Sequence, residues 1–387
     1  MRILVVHNYY QHKGGEDVVF RQEVEALQQI MPIETLTFQN RKGFAGLLQF
    51  ALYPWNPFAA RKIVRKAKEC GADIVHFHNL HYAIGPLAIR HLHKAGFKTI
   101  QTLHNHRLLD PSATLFVRNK VFLDTIERVF PWKSVWQKSL DNSLLKTFWT
   151  AWTYYIHHKL NTWKMVDRYL VFSQFMKSLI LRSPKNIQEA RITVKTNAVE
   201  KPSSAALTPR EDFFLYIGRL SQEKGVESLL EAFKTYSQQR LVIYGDGPLR
   251  AAVELASKQH HNIIYKGFQP KEVLASALAS CQALIVPSIC LEGMPMTLLE
   301  AYALGTPVLA SNLGVLSEIV INGKTGLHVE ANNPKDLGEK VKQFALLDKE
   351  EKQFMSDNCL KEYEEKYTLD KNVQQLIQVY KEIIASA

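Results

Sequence analysis

One stretch, Ala283 to Val329, limits the fold more than any other: ALIVPSICLEGMPMTLLEAYALGTPVLASNLGVLSEIVINGKTGLHV. Its short apolar run Ala283–Pro287 has the pattern of a buried strand. A loop follows over Ser288–Pro295 and carries a lone acid, Glu292. Helical spacing takes over from Met296 to Leu304, and Gly305 supplies the stop. A second short strand runs from Pro307 to Ala310. Strand, loop, helix and strand in this order make one unit of a parallel sheet. In such sheets the helix start faces the carboxyl ends of the strands, where ligands sit. Its free backbone N–H groups suit a phosphate.

Two acids frame this unit. Glu292 is in the loop and Glu300 is eight positions on, inside the helix. Read singly, Glu292 is a loop acid and Glu300 a solvated helical side chain. Read together, they carry a resemblance. The sequence shows Glu292-Gly293-Met294-Pro295, then Leu299-Glu300-Ala301-Tyr302-Ala303-Leu304-Gly305-Thr306-Pro307-Val308. Gly314-Val315-Leu316-Ser317-Glu318-Ile319-Val320 and Asn322-Gly323-Lys324-Thr325-Gly326 follow. This run resembles the E-x7-E region of the retaining GT-B glycosyltransferases of family 4. The likeness extends over nearly the whole chain and is densest from Phe213 to Val329.

The resemblance implies an α/β chain with the GT-B fold: two Rossmann-like domains facing a central cleft. Residues 1–200 would bind the acceptor, with a helix at about 370–387 crossing back to them. Residues 201–369 would bind a nucleotide-sugar donor, UDP- or GDP-linked. A length of 387 residues is in keeping with two or three domains.

Further motifs fill in that division. Phe213–Ile217 reads as the strand opening the second domain, followed by Gly218-Arg219-Leu220 and Lys224-Gly225. These are similar to the family's G-R-L-x-x-x-K-G. Arg219 as a fork and Lys224 as a point charge can neutralise a diphosphate leaving group. A solvated basic loop is the plainer alternative. Leu241–Tyr244 leads into Gly245-Asp246-Gly247-Pro248, like the family's G-x-G-P turn below the nucleotide. Asn262–Tyr265 is the next strand, and Lys266-Gly267-Phe268 matches a loop near the base.

In the first half, Ile3–Val6 is a strand, and a helix is expected from about Val18 to Gln29. The adjacent Gly14 and Gly15 between them do not form G-x-G-x-x-G. They are either a tight turn or, as the family's glycine loop implies, a close approach to donor phosphates and acceptor. Asp73–Phe77 and Thr99–Leu103 are further strands, each followed by histidines: His78 and His81, then His104 and His106. Hydrogen-bonded structural histidines are one reading and zinc ligands another. No cysteine lies close by, and the expectation is a metal-free site without a cofactor. Thr102-Leu103-His104-Asn105-His106-Arg107-Leu108-Leu109 resembles the family's T-x-H-N-x-R-L-L, whose first histidine reaches the sugar end of the donor. That implies such a role for His104. The family then continues Cys-Pro, whereas this chain has Asp110-Pro111.

Later in this half, Arg168–Phe172 is a strand, Ser173 an N-cap, and Gln174–Arg182 a helix. Ile192–Asn197 resembles the strand that closes the domain, with Thr196 in place of the usual proline. Glu200–Thr208, rich in Pro, Ser and Ala, is the linker.

The implied catalytic set is His104, Glu292, Arg219 and Lys224. The implied donor-binding set is Gly14, Gly15, Gly218, Gly245, Gly247, Pro248, Gly293, Met294, Pro295, Met296, Thr297, Leu298 and Glu300. Glu300 would hold ribose hydroxyls. No Asp-x-Asp occurs, which matches the family's metal-free chemistry. Two rivals stand beside this reading: a membrane-associated binding or scaffold protein with a degenerate cleft, and a non-transferase such as an epimerase or phosphorylase.

Charge separates the halves. Met1–Glu200 holds 28 Lys and Arg against 14 Asp and Glu, within a net charge of +11 for the chain. This points to an anionic partner for the first half. Arg118–Lys164 carries five of the six tryptophans together with many bases. Ordinary packed helices are one account. An anionic membrane surface is the other, with tryptophans at headgroup depth. Nucleic acid is not expected, since no recognition motif accompanies the bases. Neither a signal peptide nor an apolar run of about 20 residues is expected, and the scattered Cys70, Cys281, Cys290 and Cys359 suit reduced thiols. The expected location is cytoplasmic, peripheral at the inner face of the membrane. The acceptor would be a glycan or a lipid-linked sugar.

Overall fold

A computed structural model describes residues 1–11, 14–202, 210–235 and 239–385. The chain divides into two compact units. One comprises Met1–Val117, Phe122–Asn197 and Leu369–Ala387; the other comprises Arg118–Val121 and Ala198–Thr368. The structural boundary therefore falls at 197/198. Of the expected linker, residues 203–209 lie outside the described residues.

The first unit holds a six-stranded sheet of β1 (Ile3–Tyr9), β2 (Ile33–Gln39), β3 (Ile74–Phe77), β4 (Lys98–Thr102), β5 (Arg168–Val171) and β6 (Ile192–Val194). The order is β2-β1-β3-β4-β5-β6, with every pairing parallel. A parallel sheet covered on both faces favours continuous apolar strands. Accordingly Ile3, Leu4, Val5 and Val6 are all buried. β1 runs three residues past the expected Val6, to Tyr9. Its helix, Gly15–Gln28, starts three residues before the expected Val18. The cause is a one-sided cap: Asp17 Oδ2 accepts from the Gly14 N–H at 3.0 Å and so draws Gly15 into the first turn.

The last described helix, Leu369–Ala385, packs on this unit. Val373, Leu376, Val379, Tyr380 and Ile383 recur at helical spacing and join Phe20, Val24 and Leu27 in one core. Each such buried side chain contributes about 1.5–3 kcal/mol. Asn372 Nδ2 also donates to the Thr196 carbonyl at 2.5 Å.

The second unit holds β7 (Phe214–Ile217), β8 (Leu241–Tyr244), β9 (Ile263–Gly267), β10 (Ala283–Val286), β11 (Val308–Ser311) and β12 (Gly326–Val329). Their order, β9-β8-β7-β10-β11-β12, is again all parallel. This is the 3-2-1-4-5-6 order of dinucleotide-binding sheets, and the first unit has the 2-1-3-4-5-6 variant. Lys266 and Gly267 belong to β9, not to a loop as expected, since Gly267 pairs with Tyr244.

The tryptophan-rich segment divides. Trp163 is buried, with its indole N–H on the Tyr154 carbonyl at 3.2 Å, and Trp149 donates to the Phe50 carbonyl at 2.7 Å. Trp132, Trp136 and Trp152 remain exposed. Packing therefore claims two of the five, and solvent meets the others. A neighbouring element escaped the sequence reading. The apolar helix Gly43–Leu52 (GFAGLLQFAL) has no buried residue. No described helix is long and apolar enough to cross a membrane.

Candidate active site

In the second unit, the site begins where β7 and β10 end. β7 delivers Gly218 and Arg219 to the surface, and Tyr216 OH donates to the Arg219 carbonyl at 2.8 Å. A single turn, Gln222–Lys224, follows and is closed by Gly225 at φ +72. A Cβ on Gly225 would overlap the Pro287 carbonyl oxygen. Only glycine lets this turn lie against the loop after β10. Gly245, at φ +142, packs likewise on the Gly218 carbonyl. Gly247 and the exposed Pro248 complete the turn after β8.

This tight stacking brings together two residues that the sequence keeps 68 positions apart. Lys224 Nζ lies 2.6 Å and 2.8 Å from the two oxygens of Glu292, and Ser288 Oγ donates to Glu292 Oε1 at 2.5 Å. Burial opposes the charge on Glu292, but Lys224 and Ser288 outweigh it and hold the carboxyl below its usual range. Burial likewise opposes the Lys224 cation, and Glu292 raises it above the ordinary lysine value. The two expected catalytic charges are therefore partners. Arg219 is exposed and forms no ion pair among the described residues.

Gly293 to Pro295 lead into the helix Met296–Ala303. Pro295 stands at its N-cap and no side chain caps it, so the helix presents backbone N–H groups and a positive end. Met294 and Leu298 bury their side chains, so only their backbone could meet a ligand. The Leu298 N–H already donates to the Pro295 carbonyl at 3.2 Å; Met296 and Thr297 lead the helix. Glu300 lies one turn further. Its half-buried carboxyl is pushed up by burial, with Lys271 opposing. It accepts no hydrogen bond among the described residues.

The first unit uses side chains. His7 in β1 bonds Asp17 Oδ1 through Nε2 at 2.8 Å and stacks on Phe20. Gly14 and Gly15 begin the helix with open space around each. At the end of β4, His104 Nε2 lies 3.0 Å from His78 Nδ1. His78 Nε2 in turn lies 3.2 Å from Glu23 Oε1, and Lys195 Nζ is 2.7 Å from Glu23 Oε2. Burial works against the Glu23 carboxylate, yet Lys195 and His78 hold it well below its usual range. Burial and the neighbouring His78 push both His76 and His104 well below the ordinary histidine value.

Glu23, His76 and His78 offer three ligand atoms within 4.8 Å of one another. Their hydrogen bonding suits an internal network better than a metal. His76 spends Nδ1 on Tyr380 OH and Nε2 on Thr102 Oγ1, both at 2.8 Å, and Lys195 is already the cation on Glu23.

Asp110, where the family has cysteine, is buried. It accepts from Thr125 Oγ1 at 2.7 Å, from Ser134 Oγ, and from the Ser112 N–H at 2.9 Å. Its role is to tie down the loop that follows His104.

Residues 200–361 match the family model described as glycosyl transferases group 1, and residues 34–201 match that of glycosyltransferase family 4. The chain belongs to the group 1, family 4 glycosyltransferases. An uncharacterized glycosyltransferase of Methanocaldococcus jannaschii is 33% identical over 221 residues, 56% of this chain and 60% of that protein. The chain spans about half the length of the curated relatives it matches. Two solved structures show the same GT-B fold. Sucrose-phosphate synthase from Thermosynechococcus elongatus has a TM-score of 0.73 at 17% identity, over 100% of both chains. Anabaena HepE in complex with UDP has 0.68 at 15%, over 99% of this chain and all of that one.

For this family 4 chain, the family resemblance pointed to Glu292, Lys224, Glu300 and His104. It missed Ser288, which braces Glu292, and Glu23 and Lys195, which brace His104 through His78. Glu23 looks like any helical acid and Lys195 like any strand-end lysine. Only burial of both, at 3% and 2% exposure, marks them.

Proposed function

We propose that this chain transfers a sugar from a nucleotide-sugar to a glycan or lipid-linked acceptor, with retention of anomeric configuration. The observation that carries this reading is the Lys224–Glu292 pair beside the uncapped start of the helix Met296–Ala303. The second unit would hold the donor. Arg219, Lys224 and the helix start would neutralise the leaving diphosphate, the kind of electrostatic term that is usually largest in catalysis. Glu300, a carboxylate with an unused accepting capacity, would take the ribose hydroxyls. Glu292 would sit by the donor sugar, and His104 would serve the transfer from the first unit. An acceptor attacking the face from which the diphosphate departs lets that phosphate take its proton, so no side-chain base is required. The UDP complex of HepE supports a uridine donor.

The acceptor would be met at the inner face of an anionic membrane. The exposed Phe44, Leu47 and Leu48 of the helix Gly43–Leu52 support this, with Trp55, Phe58, Trp132 and Trp136 in the same basic unit. Apolar side chains at headgroup depth and bases on lipid phosphates are what peripheral binding needs.

Incubation with UDP- and GDP-sugars, with and without lipid acceptor, tests the reading. Acceptor-dependent nucleotide release with a retained anomeric centre is expected. Sugar isomerisation without release, or no turnover by any donor, would overturn it.

A further inference from the structure

Arg107 is an unusual arginine. It follows the strand-end loop of β4, held by Asn105 Oδ1, which accepts from the Arg107 N–H at 3.0 Å. Its Nη1 donates to the Pro111 carbonyl at 2.9 Å. Its Nε is buried without a partner. No carboxylate pairs with it at ion-pair distance among the described residues. Tyr10 and Tyr154 line one cavity with it, and the phenols of Tyr53 and Tyr82 lie near enough to act on its charge. A guanidinium stays charged and offers five N–H donors. A half-buried one with donors unspent is costly unless a ligand completes it.

Arg107 lines a cavity of about 30 Å³ that also meets Tyr10, Glu16, Asn79, His104 and Tyr154. The one acid there is Glu16, which accepts from Asn79 Nδ2 at 2.9 Å. Burial pushes its carboxyl up to about 8. Asp17 adds to the rise, while Arg107 and hydrogen bonds from Tyr10 and Asn79 oppose it. At neutral pH the cavity wall therefore carries the arginine charge with little to offset it. His104, which also lines it, is neutral there because burial and His78 depress its pKa.

We propose that Arg107 anchors an oxyanion pocket in the first unit, which selects acceptors bearing a phosphate or carboxylate near the hydroxyl that receives the sugar. Tyr10 and Asn79 supply further polar contacts, and His104 stands on the wall of the same cavity. This deepens the transferase reading and rests on it for the word acceptor; the oxyanion site itself does not need turnover.

Sulfate is the probe, because its charge is constant between pH 6 and 9. Binding to the full chain is measured by calorimetry at pH 7, with UDP present to occupy any diphosphate site of the second unit. Arg107→Gln should weaken sulfate by about tenfold or more, the scale of losing a charged hydrogen-bond donor. Arg107→Lys should recover part of it. Equal sulfate affinity in wild type and a correctly folded Arg107→Gln protein would overturn the proposal.

Glu16→Gln gives an independent arm should Arg107→Gln not fold. In wild type, ionisation of Glu16 above pH 8 places a negative charge beside Arg107, so sulfate affinity falls by about tenfold from pH 7 to 9. In Glu16→Gln it stays level. The same pH slope in both proteins would count against the pocket. Methyl phosphate and acetate then compete with sulfate. Displacement by either supports the pocket and names the acidic group by its potency; displacement by neither overturns it. Arg107-dependent sulfate binding in a chain that turns over no donor would leave the pocket standing and sink the transferase reading.

Discussion

The two units build their candidate sites from different materials. The second works largely through backbone: glycine turns stacked on carbonyls, an uncapped helix start, and the part-buried ion pair Lys224–Glu292. The first works through side chains: His7 in β1, Glu23 on the helix after it, and His78, His104 and Lys195 just past strand ends. Backbone donors would suit the diphosphate of the proposed UDP- or GDP-linked donor. Side-chain networks can be rebuilt residue by residue, which would suit the proposed acceptor unit. The contrast also predicts where each unit is fragile.

The largest effect is expected in the first unit. Lys195→Met leaves Glu23 buried with no cation beside it, a loss of about 3–5 kcal/mol. Chemical denaturation should show an early transition for the first unit while nucleotide binding survives in folded protein. A midpoint unchanged from wild type would break the contrast. Next comes Lys224→Ala, expected to lower kcat/KM about a hundredfold or more, with the fold intact. Near wild-type turnover would remove Lys224 from the chemistry.

Smaller again is Glu300→Gln, which should weaken free nucleoside diphosphate by about 1.5–3 kcal/mol in calorimetry. Glu292→Gln should leave that affinity alone and damage transfer; equal losses in both would erase the division of roles.

Acid sharpens the comparison further. His76 and His104 have folded pKa values below 6.5, so the unfolded chain takes up protons first as the pH falls through 6.5. Stability of the first unit is lost from there downward, by up to about 1.4 kcal/mol per pH unit for each such histidine, with Glu16, raised to about 8, giving back one such increment. Glu23, also depressed, adds a loss below its unfolded value of 4.5. In the second unit Glu300 is raised, so the folded state binds its proton first and gains stability on mild acidification. Glu292 is lost only below 4.5. Melting followed between pH 7 and 5 should therefore show the first unit weakening first. The smallest effect belongs to Phe44→Ser. Its ring is 83% exposed, so stability should change by no more than about 0.5 kcal/mol, while sedimentation with anionic vesicles falls. Unchanged vesicle binding would remove that helix from the membrane surface.

The second unit was more legible than the first, for a physical reason. Turn glycines and a loop–helix acid pair are local: their spacing is their geometry, and Gly218, Lys224, Glu292 and Glu300 could be picked out from the string. The Lys224–Glu292 contact spans 68 positions and was not visible. In the first unit the histidines could be seen, but not their partners, because His78, Glu23 and Lys195 meet only after β1, β3, β4, β5 and β6 have paired. The helix Gly43–Leu52 was missed because a run of apolar residues reads as core. Here none of them is buried.

The last helix carries a consequence for biosynthesis. Val373, Leu376, Val379 and Ile383 complete a core begun by Phe20, Val24 and Leu27. Between Asn197 and Leu369 lies a stretch of about 170 residues belonging to the other unit. At a synthesis rate of roughly 5–20 residues per second, that stretch takes about 10–35 s to emerge. The amino-terminal unit, first off the ribosome, is therefore the second to be finished. For that interval the apolar face of its first helix waits uncovered, in reach of chaperones and of other nascent chains.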